Sequence, residues 1–293
     1  MHICLQTGEL HITTEQPQQL LRLSGFGSRA NKKRGFVFVS KVLGKHVPAR
    51  PQQMQTAQRE LAELLLARLS QRPTLLIGFA ETATGLGFGV FEQLQQAGFA
   101  LAFYLHTTRY RLAQDLWLDF QEEHSHATEH LLYQPQDAGL RAQLARVENL
   151  VLIDDEFSTG KTVQNLLRAL QPHLPALRQV YAAALLSWLP APLMGIECLN
   201  LHQGRFNFNE YSVTWVDNTA ASVAQQPVCL DWLLPCNFGR LGIQNFAPDY
   251  ASWTDWRSLR NKRVLVLGTG EFMHPAYGLG RFLEAQGVDV WVQ

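Results

Sequence analysis

The 293-residue chain carries 25 basic and 25 acidic residues and no formal net charge, so no global field draws it to nucleic acid or to an anionic membrane surface. At 46% hydrophobic and 17% charged residues, it reads as a globular chain able to bury the core of one large or two modest domains. No apolar run approaches a membrane span, the N-terminus is polar, and Cys4, Cys198, Cys229 and Cys236 show no CxxC spacing; scattered thiols in a cytoplasmic protein are expected.

In chain order, FVFVSKV at 36–42 predicts a strand, and 52–69 an amphipathic helix with Met54, Ala57, Leu61, Leu64 and Leu65 on one face. A strand at 74–79, a glycine-rich turn and a helix near 86–97 follow. A strand at 99–105 leads into a long polar loop. A helix is predicted at 137–147, a buried strand at 150–153 and a helix carrying Val163, Leu166, Leu167 and Leu170, then a strand at 179–187. Alternating strands and helices of this kind predict an α/β fold with a doubly wound, mostly parallel sheet. Further strands are expected over 190–230, an irregular connection over 232–260, and a strand–loop–helix–strand segment over 261–293. One βαβ unit of that size cannot bury its own core, so the chain is expected to stop inside a larger C-terminal unit.

The run VLIDDEFSTGKT from Val151 to Thr162 carries the most chemistry. A short apolar strand ends in Asp154 and Asp155, and a small-residue loop then opens a helix. The first amides of a helix lack internal partners and carry its positive end, so this turn suits an anion. Carboxylates at the C-terminal edge of a parallel strand sit where open α/β sheets bind ligands. Phosphate to the loop and hydroxyls to the carboxylates describes a phosphorylated sugar. Gly160 is expected there because a side chain crowds the anion or demands a backbone conformation that L-residues avoid. A nucleoside-triphosphate loop of the form GxxxxGK[ST] requires glycine at position 155, which is Asp155.

A second strand–loop–helix turn, Ile77 to Gly87, has small residues that permit close backbone approach. Beyond the next strand, Arg109 and Arg111 are suited to bidentate recognition of an anion such as pyrophosphate, or else are solvated loop residues. The polar segment 112–130 contains Glu122, Glu123, His124, His126 and His130; it reads as a mobile lid, an exposed loop or, with mixed spacing, a metal site. Lys32, Lys33 and Arg34 form a basic run that suits a solvated turn or an RNA contact. GTGEF at 268–272 is a further candidate anion loop.

The run 151–162 resembles the PRPP-binding motif of type I phosphoribosyltransferases, in which a hydrophobic strand and two acidic residues precede a loop of the form TTGGT; Lys161 stands where a second glycine is common. Together with SRANKKRGFVFVSKVLGKHVPARP, AETATGLG and EEHSHATEH, it is similar over about residues 29–190 to the orotate-phosphoribosyltransferase-like branch encoded in tellurite-resistance and stress gene clusters. Residues 261–293 are similar to the opening of the accessory domain named after a Thr-Arg-Ser-Pro (TRSP) motif, although that motif is absent here.

The resemblance implies a phosphoribosyltransferase domain over 1–231 with an N-terminal hood, a linker over 232–260 and the start of a TRSP-type domain over 261–293. It implies a Mg2+-dependent transfer of ribose 5-phosphate from PRPP to a nitrogenous base, with release of pyrophosphate, in making a nucleotide-like stress metabolite. Phe157, Ser158, Thr159, Gly160, Lys161 and Thr162 are then the 5-phosphate loop. Ala80, Glu81, Thr82, Ala83, Arg109 and Arg111 face pyrophosphate. Asp154 and Asp155 meet the ribose and Mg2+, directly or through PRPP. Glu123, His124 and His126 act from the closing loop, and Lys41, Lys45 and His46 recognise the base. A homodimer and partner enzymes of the same pathway are also implied. The alternative of a different class is a PRPP-sensing regulator that binds RNA through Lys32–Arg34, which the neutral net charge disfavours.

Overall fold

In the computed structural model, which describes residues 1–29, 31, 34–121, 129–212, 229–230 and 238–293, the buried runs of the sequence become neighbouring parallel strands. The chain opens with β1 (His2–Leu5), β2 (Gly8–Thr13), α1 (Pro17–Leu23), β3 (Ser24–Ser28) and β4 (Phe36–Ser40). Next come α2 (Pro51–Leu66), β5 (Thr74–Gly78), α3 (Thr84–Gln96), β6 (Ala102–His106), β7 (Arg111–Leu112), β8 (Leu116–Gln121) and β9 (Glu129–Tyr133). They are followed by α4 (Ala138–Leu144), β10 (Asn149–Phe157), α5 (Lys161–Leu170), β11 (Gln179–Ser187), β12 (Glu197–Gln203) and β13 (Arg205–Glu210). The last described elements are β14 (Cys229–Leu230), β15 (Arg263–Val266), α6 (Met273–Ala285) and β16 (Asp289–Val292), with short 3-10 turns between β14 and β15. No helix among the described residues is long and apolar enough to cross a membrane.

The central sheet runs β12-β11-β10-β5-β6, parallel throughout. Side chains alternate across a strand, and here both faces are apolar. Leu76, Val151, Ile153 and Ala183 pack with Leu61 and Leu65 of α2 and Leu86 and Val90 of α3. Leu75, Ile77, Leu150, Leu152 and Ala182 pack with Leu140 of α4 and Val163, Leu166 and Leu170 of α5. Each fully buried Leu, Ile or Val contributes about 1.5–3 kcal/mol of transfer free energy, which is why these runs lack the polar alternation of a half-exposed strand. From β5 the chain passes through α3, on one face, to β6; from β10, on the other side of β5, it passes through α5, on the opposite face. The strand order reverses between β5 and β10, so their C-terminal loops diverge and leave a crevice.

A hood covers that end of the sheet. The antiparallel strands β1, β2 and β13 form one sheet and β3 and β4 another. Their aromatic side chains meet over the end of β11: Phe38 stacks on Trp188 at 4.6 Å and Phe36 meets Phe206 at 5.1 Å.

Several boundaries differ from expectation for identifiable reasons. β10 extends to Phe157 rather than stopping at 153, because β11 continues alongside it as far as Ser187 while β5 ends opposite Ile153. Asp154 and Asp155 therefore belong to the strand and have a sheet neighbour on one side. The run 99–105 forms a strand only from Ala102; Phe99 is buried in the preceding turn, its amide bonded to Leu94 O. The segment 112–130 is not a loop over its described part: β8 and β9 pair antiparallel and Phe120 is buried. Residues 122–128, with Glu122, Glu123, His124 and His126, lie outside the described residues.

The C-terminal βαβ segment gains the core it cannot make alone by sharing one. Ala49 and Val292 exchange backbone hydrogen bonds of 2.9 Å each way, and Ala276 and Tyr277 of α6 pack with Met54 of α2. Gly280 permits the close approach: a Cβ there meets Val292 Cγ2 at 2.5 Å.

Candidate active site

The crevice between the β5 and β10 loops is a cleft of about 640 Å3 roofed by the hood. It brings together Lys45, His46, Ala80, Glu81, Thr82, Arg109, Asp154, Asp155, Phe157, Ser158, Thr159, Gly160 and Thr162 from the sequence-derived set. Four others do not line it. Lys41 Nζ donates to Leu21 O at 2.8 Å, Ala83 is fully buried ahead of α3, and Arg111 and Lys161 are exposed. Glu123, His124 and His126 lie outside the described residues. Arg29, Asn31, Arg34, Phe36, Phe38, Phe79, His130, Glu156 and Phe206 also line the cleft. Of these, Glu156 and Arg34 had a signal in the sequence, as a third acid after the Asp pair and as the end of the basic run. Phe206 had none.

The anion loop is built by local backbone geometry. Gly160 precedes α5 with a φ of 74°, the left-handed region, and this conformation turns the chain directly into α5, whose first amides lack intrahelical partners. Ser158 and Thr159 are exposed there. A Cβ at Gly160 meets Leu193 Cδ2 at 2.6 Å and Leu189 Cδ2 at 3.1 Å. The glycine is therefore required by the backbone and by packing behind the loop; crowding of the anion is not the contact a side chain makes first.

Three consecutive acids give the floor its charge. Asp154 Oδ1 accepts from the Asp155 amide at 2.9 Å. Burial pushes the Asp155 carboxyl up, against the opposing pull of the hydrogen bond to Asp154 and the charges of His46 and Arg34. Burial likewise pushes Glu156 up to about 7; the nearby Arg34 pulls it down and Asp155 adds to the rise. Arg34 Nη2 reaches Glu156 Oε1 at 2.6 Å, and its guanidinium lies 4.7 Å from the centre of the Phe36 ring. Among the described residues, Arg34 Nε is buried with no hydrogen-bond partner.

The raised carboxyl makes stability depend on pH in a definite direction. Between the ordinary Glu value, roughly 4.3, and about 7, the folded chain keeps a proton on Glu156 that the unfolded chain has lost. The group's contribution is therefore most favourable below that window and is lost as pH rises through it. Replacing Glu156 with Gln should flatten this part of the profile, leaving the same-signed contribution of Asp155. Urea unfolding of both proteins at pH 5 and 7.5 tests this: the variant's stability relative to the parent should rise with pH, and a constant difference would contradict it.

On the opposite wall, Phe79 to Ala83 link β5 to α3, with a cis peptide between Ala80 and Glu81. The Ala80 amide donates to Thr107 Oγ1 at 2.8 Å, and Arg109 Nη2 lies 3.5 Å from Ala80 O. Lys45 Nζ donates to Glu81 Oε2 at 3.1 Å and to Gly270 O at 2.8 Å. His46 Nδ1 accepts from the Ser40 amide at 3.2 Å. His130 stacks on Phe120 at 4.7 Å, and its Nδ1 lies 3.1 Å from Thr107 Oγ1.

This wall is braced from the C-terminal segment. The GTGEF loop presents a carboxylate where an anion loop was a candidate. The Glu271 side chain is fully buried, accepts from Thr108 Oγ1 and the Arg109 amide at 2.6 Å each, and pairs with Arg240 Nη2 at 2.5 Å.

A family model described as phosphoribosyl transferase matches residues 23–197. Among solved structures, the chain is similar to adenine phosphoribosyltransferase from Rhodothermus marinus, with 17% identity, 64% of this chain and 97% of that chain covered, and a TM-score of 0.41. It is also similar to the Trypanosoma brucei adenine enzyme in complex with AMP, pyrophosphate and ribose-5-phosphate (15% identity, 59% and 68% covered, TM-score 0.42). A Staphylococcus aureus hypoxanthine phosphoribosyltransferase gives 11%, 52% and 73%, and 0.33. No curated protein matches the sequence.

Proposed function

The chain belongs to the phosphoribosyl transferase family, and on that premise we propose that the cleft binds PRPP and transfers its ribose 5-phosphate to a nitrogenous base. The observation that carries this reading is the facing pair of loops at the sheet's reversal point. One ends in the amides of α5, the other in the Ala80–Thr82 turn beside Arg109, and Asp154 and Asp155 lie between them.

In this reading the amides and hydroxyls of residues 158–162 bind the 5-phosphate, aided by the positive end of α5. Asp154 and Asp155 accept from the ribose hydroxyls. The Ala80–Thr82 backbone and Arg109 take the pyrophosphate, for which a guanidinium is geometrically suited. Lys45 and His46 face the base side, with Phe36, Phe38 and Phe206 as the apolar surface around it. A base nitrogen attacks C1 as the C1–O bond to pyrophosphate breaks, and the bond's electron pair leaves with pyrophosphate. Positive charge that develops on the ribose lies near the carboxylates. No covalent enzyme nucleophile is needed; alignment and charge placement lower the barrier.

Mg2+ fits this donor set, since Asp154 and Asp155 offer hard carboxylate oxygens and burial opposes the charged form of Asp155, which a bound cation would favour. When bound, Mg2+ supplies neutralisation of pyrophosphate charge. The product is proposed to be a nucleotide-like stress metabolite, in keeping with the orotate-like branch that the sequence resembles. The RNA-binding alternative loses part of its basis, because Arg34 is engaged with Glu156 in the cleft.

Pyrophosphate release from PRPP and Mg2+ with a panel of purine and pyrimidine bases tests the proposal. Release dependent on one base class is expected. Tight PRPP binding with no release for any base would overturn transfer in favour of PRPP sensing.

A further inference from the structure

We propose that His2, Cys4, Glu9 and His11 form a transition-metal site of the zinc class on the outer face of the β1–β2 hairpin. These residues lie outside the segment matched by the family and take no part in the cleft.

The antiparallel register sets His2 opposite His11 and Cys4 opposite Glu9. Alternate residues share a face of a strand, so all four side chains project from the same side of the hairpin. The other side carries Leu10 and Ile12 into the core. One donor atom each from His2, Cys4 and Glu9 lie within 4.8 Å of one another. His2 Nε2 and His11 Nε2 approach the same oxygen, Glu9 Oε2, at 3.3 and 3.5 Å, and the two imidazoles stack at 4.4 Å. Tyr211 OH donates to Glu9 Oε1 at 2.8 Å, leaving Oε2 to the imidazoles. A hydrogen bond that orients a carboxylate in this way is a usual outer-shell support of a ligating group.

The donor set selects the metal class. Two imidazoles, a thiolate and a carboxylate suit Zn2+, whereas Mg2+ and Ca2+ prefer oxygen alone. Tetrahedral zinc needs donors roughly 3.4 Å apart, from metal–ligand distances of about 2.0–2.3 Å. From separations of up to 4.8 Å, the His2, Cys4 and Glu9 donors must therefore close in by about an ångström. His11, which reaches Glu9 Oε2 at 3.5 Å but lies outside that group of three, must swing further; the exposed His2, Cys4 and His11 side chains permit both adjustments. The metal would cross-link β1, a four-residue edge strand, to β2, whose other edge pairs with β13. A metal-free reading, in which two histidines merely share a surface carboxylate, gives Cys4 no role; such exposed pairs contribute little.

Calorimetric titration of untagged, reduced full-length protein with Zn2+, together with the visible spectrum of its Co2+ form, tests the site. One saturable site per chain and a thiolate-to-cobalt charge-transfer band are expected. Cys4→Ser should remove the band, and His2→Asn with His11→Asn should weaken Zn2+ at least tenfold, with circular dichroism confirming the fold. Asp154→Asn with Asp155→Asn should leave the site intact, which separates it from any metal held in the cleft. Absence of a saturable site, or Zn2+ affinity unchanged in the Cys4 and histidine variants, would overturn the proposal. If a hairpin variant fails to fold, Tyr211→Phe decides instead: it keeps every ligand and should weaken Zn2+ several-fold, and unchanged affinity would count against the site.

Discussion

Replacing Glu271 with Ala should destabilise the chain by about 3–5 kcal/mol, the usual cost of removing one partner from a buried ion pair. The Arg240 side chain is only 8% exposed and Glu271 not at all, so the change leaves a guanidinium with its charge uncompensated. It also removes the acceptor of Thr108 Oγ1 and of the Arg109 amide. Glu271→Gln retains the shape and one acceptor oxygen and should cost less. An Arg240→Met, Glu271→Leu double variant should recover only the part of the loss that comes from the uncompensated guanidinium, because Thr108 Oγ1 and the Arg109 amide still lack their Glu271 acceptor. Urea unfolding supplies all three numbers. A single-variant loss below about 1 kcal/mol, or a double variant worse than either single, would show that the network does not brace the wall. In variants that remain folded, pyrophosphate release should fall, since the Arg109 backbone is no longer held.

Changing Asp154 and Asp155 together to Asn should weaken PRPP by tenfold or more in the presence of Mg2+, about 1.4 kcal/mol for each factor of ten. Asn preserves size and removes the charge proposed to meet the ribose and metal. The stability readout separates this from damage to the fold. Burial pushes the Asp155 carboxyl up, so ionising it near neutral pH opposes folding, and a neutral Asn removes that opposition. The double variant should therefore unfold at the same urea concentration as the parent or a higher one. Calorimetry that returns the parent's PRPP affinity would take the Asp pair out of the site; a large drop in stability would mean that the acids are structural.

The strand–acid–loop–helix run at 149–170 was legible because each of its parts is local. An apolar strand, a left-handed glycine and the unpaired amides of a helix start are properties of contiguous backbone, and the same holds for the strand and helix runs that pack as the central sheet. Asp154 and Asp155 were placed at the strand end by that local pattern; only pairing with β11 showed that the strand continues through them. The rest of the cleft depends on long-range pairing. Arg34 reaches Glu156 across 122 residues of sequence, and Glu271 reaches Thr108 across 163. Nothing in the immediate neighbours of either residue encodes that meeting. Likewise, His2 and Cys4 lack any familiar metal spacing until the hairpin register sets them opposite His11 and Glu9. By itself, then, the sequence determined the elements whose geometry follows from hydrogen bonding and apolar periodicity within a short stretch. Which side chains share a cleft, a buried charge or a metal-sized space was decided only by tertiary structure, because those distances depend on how sheets and helices pack.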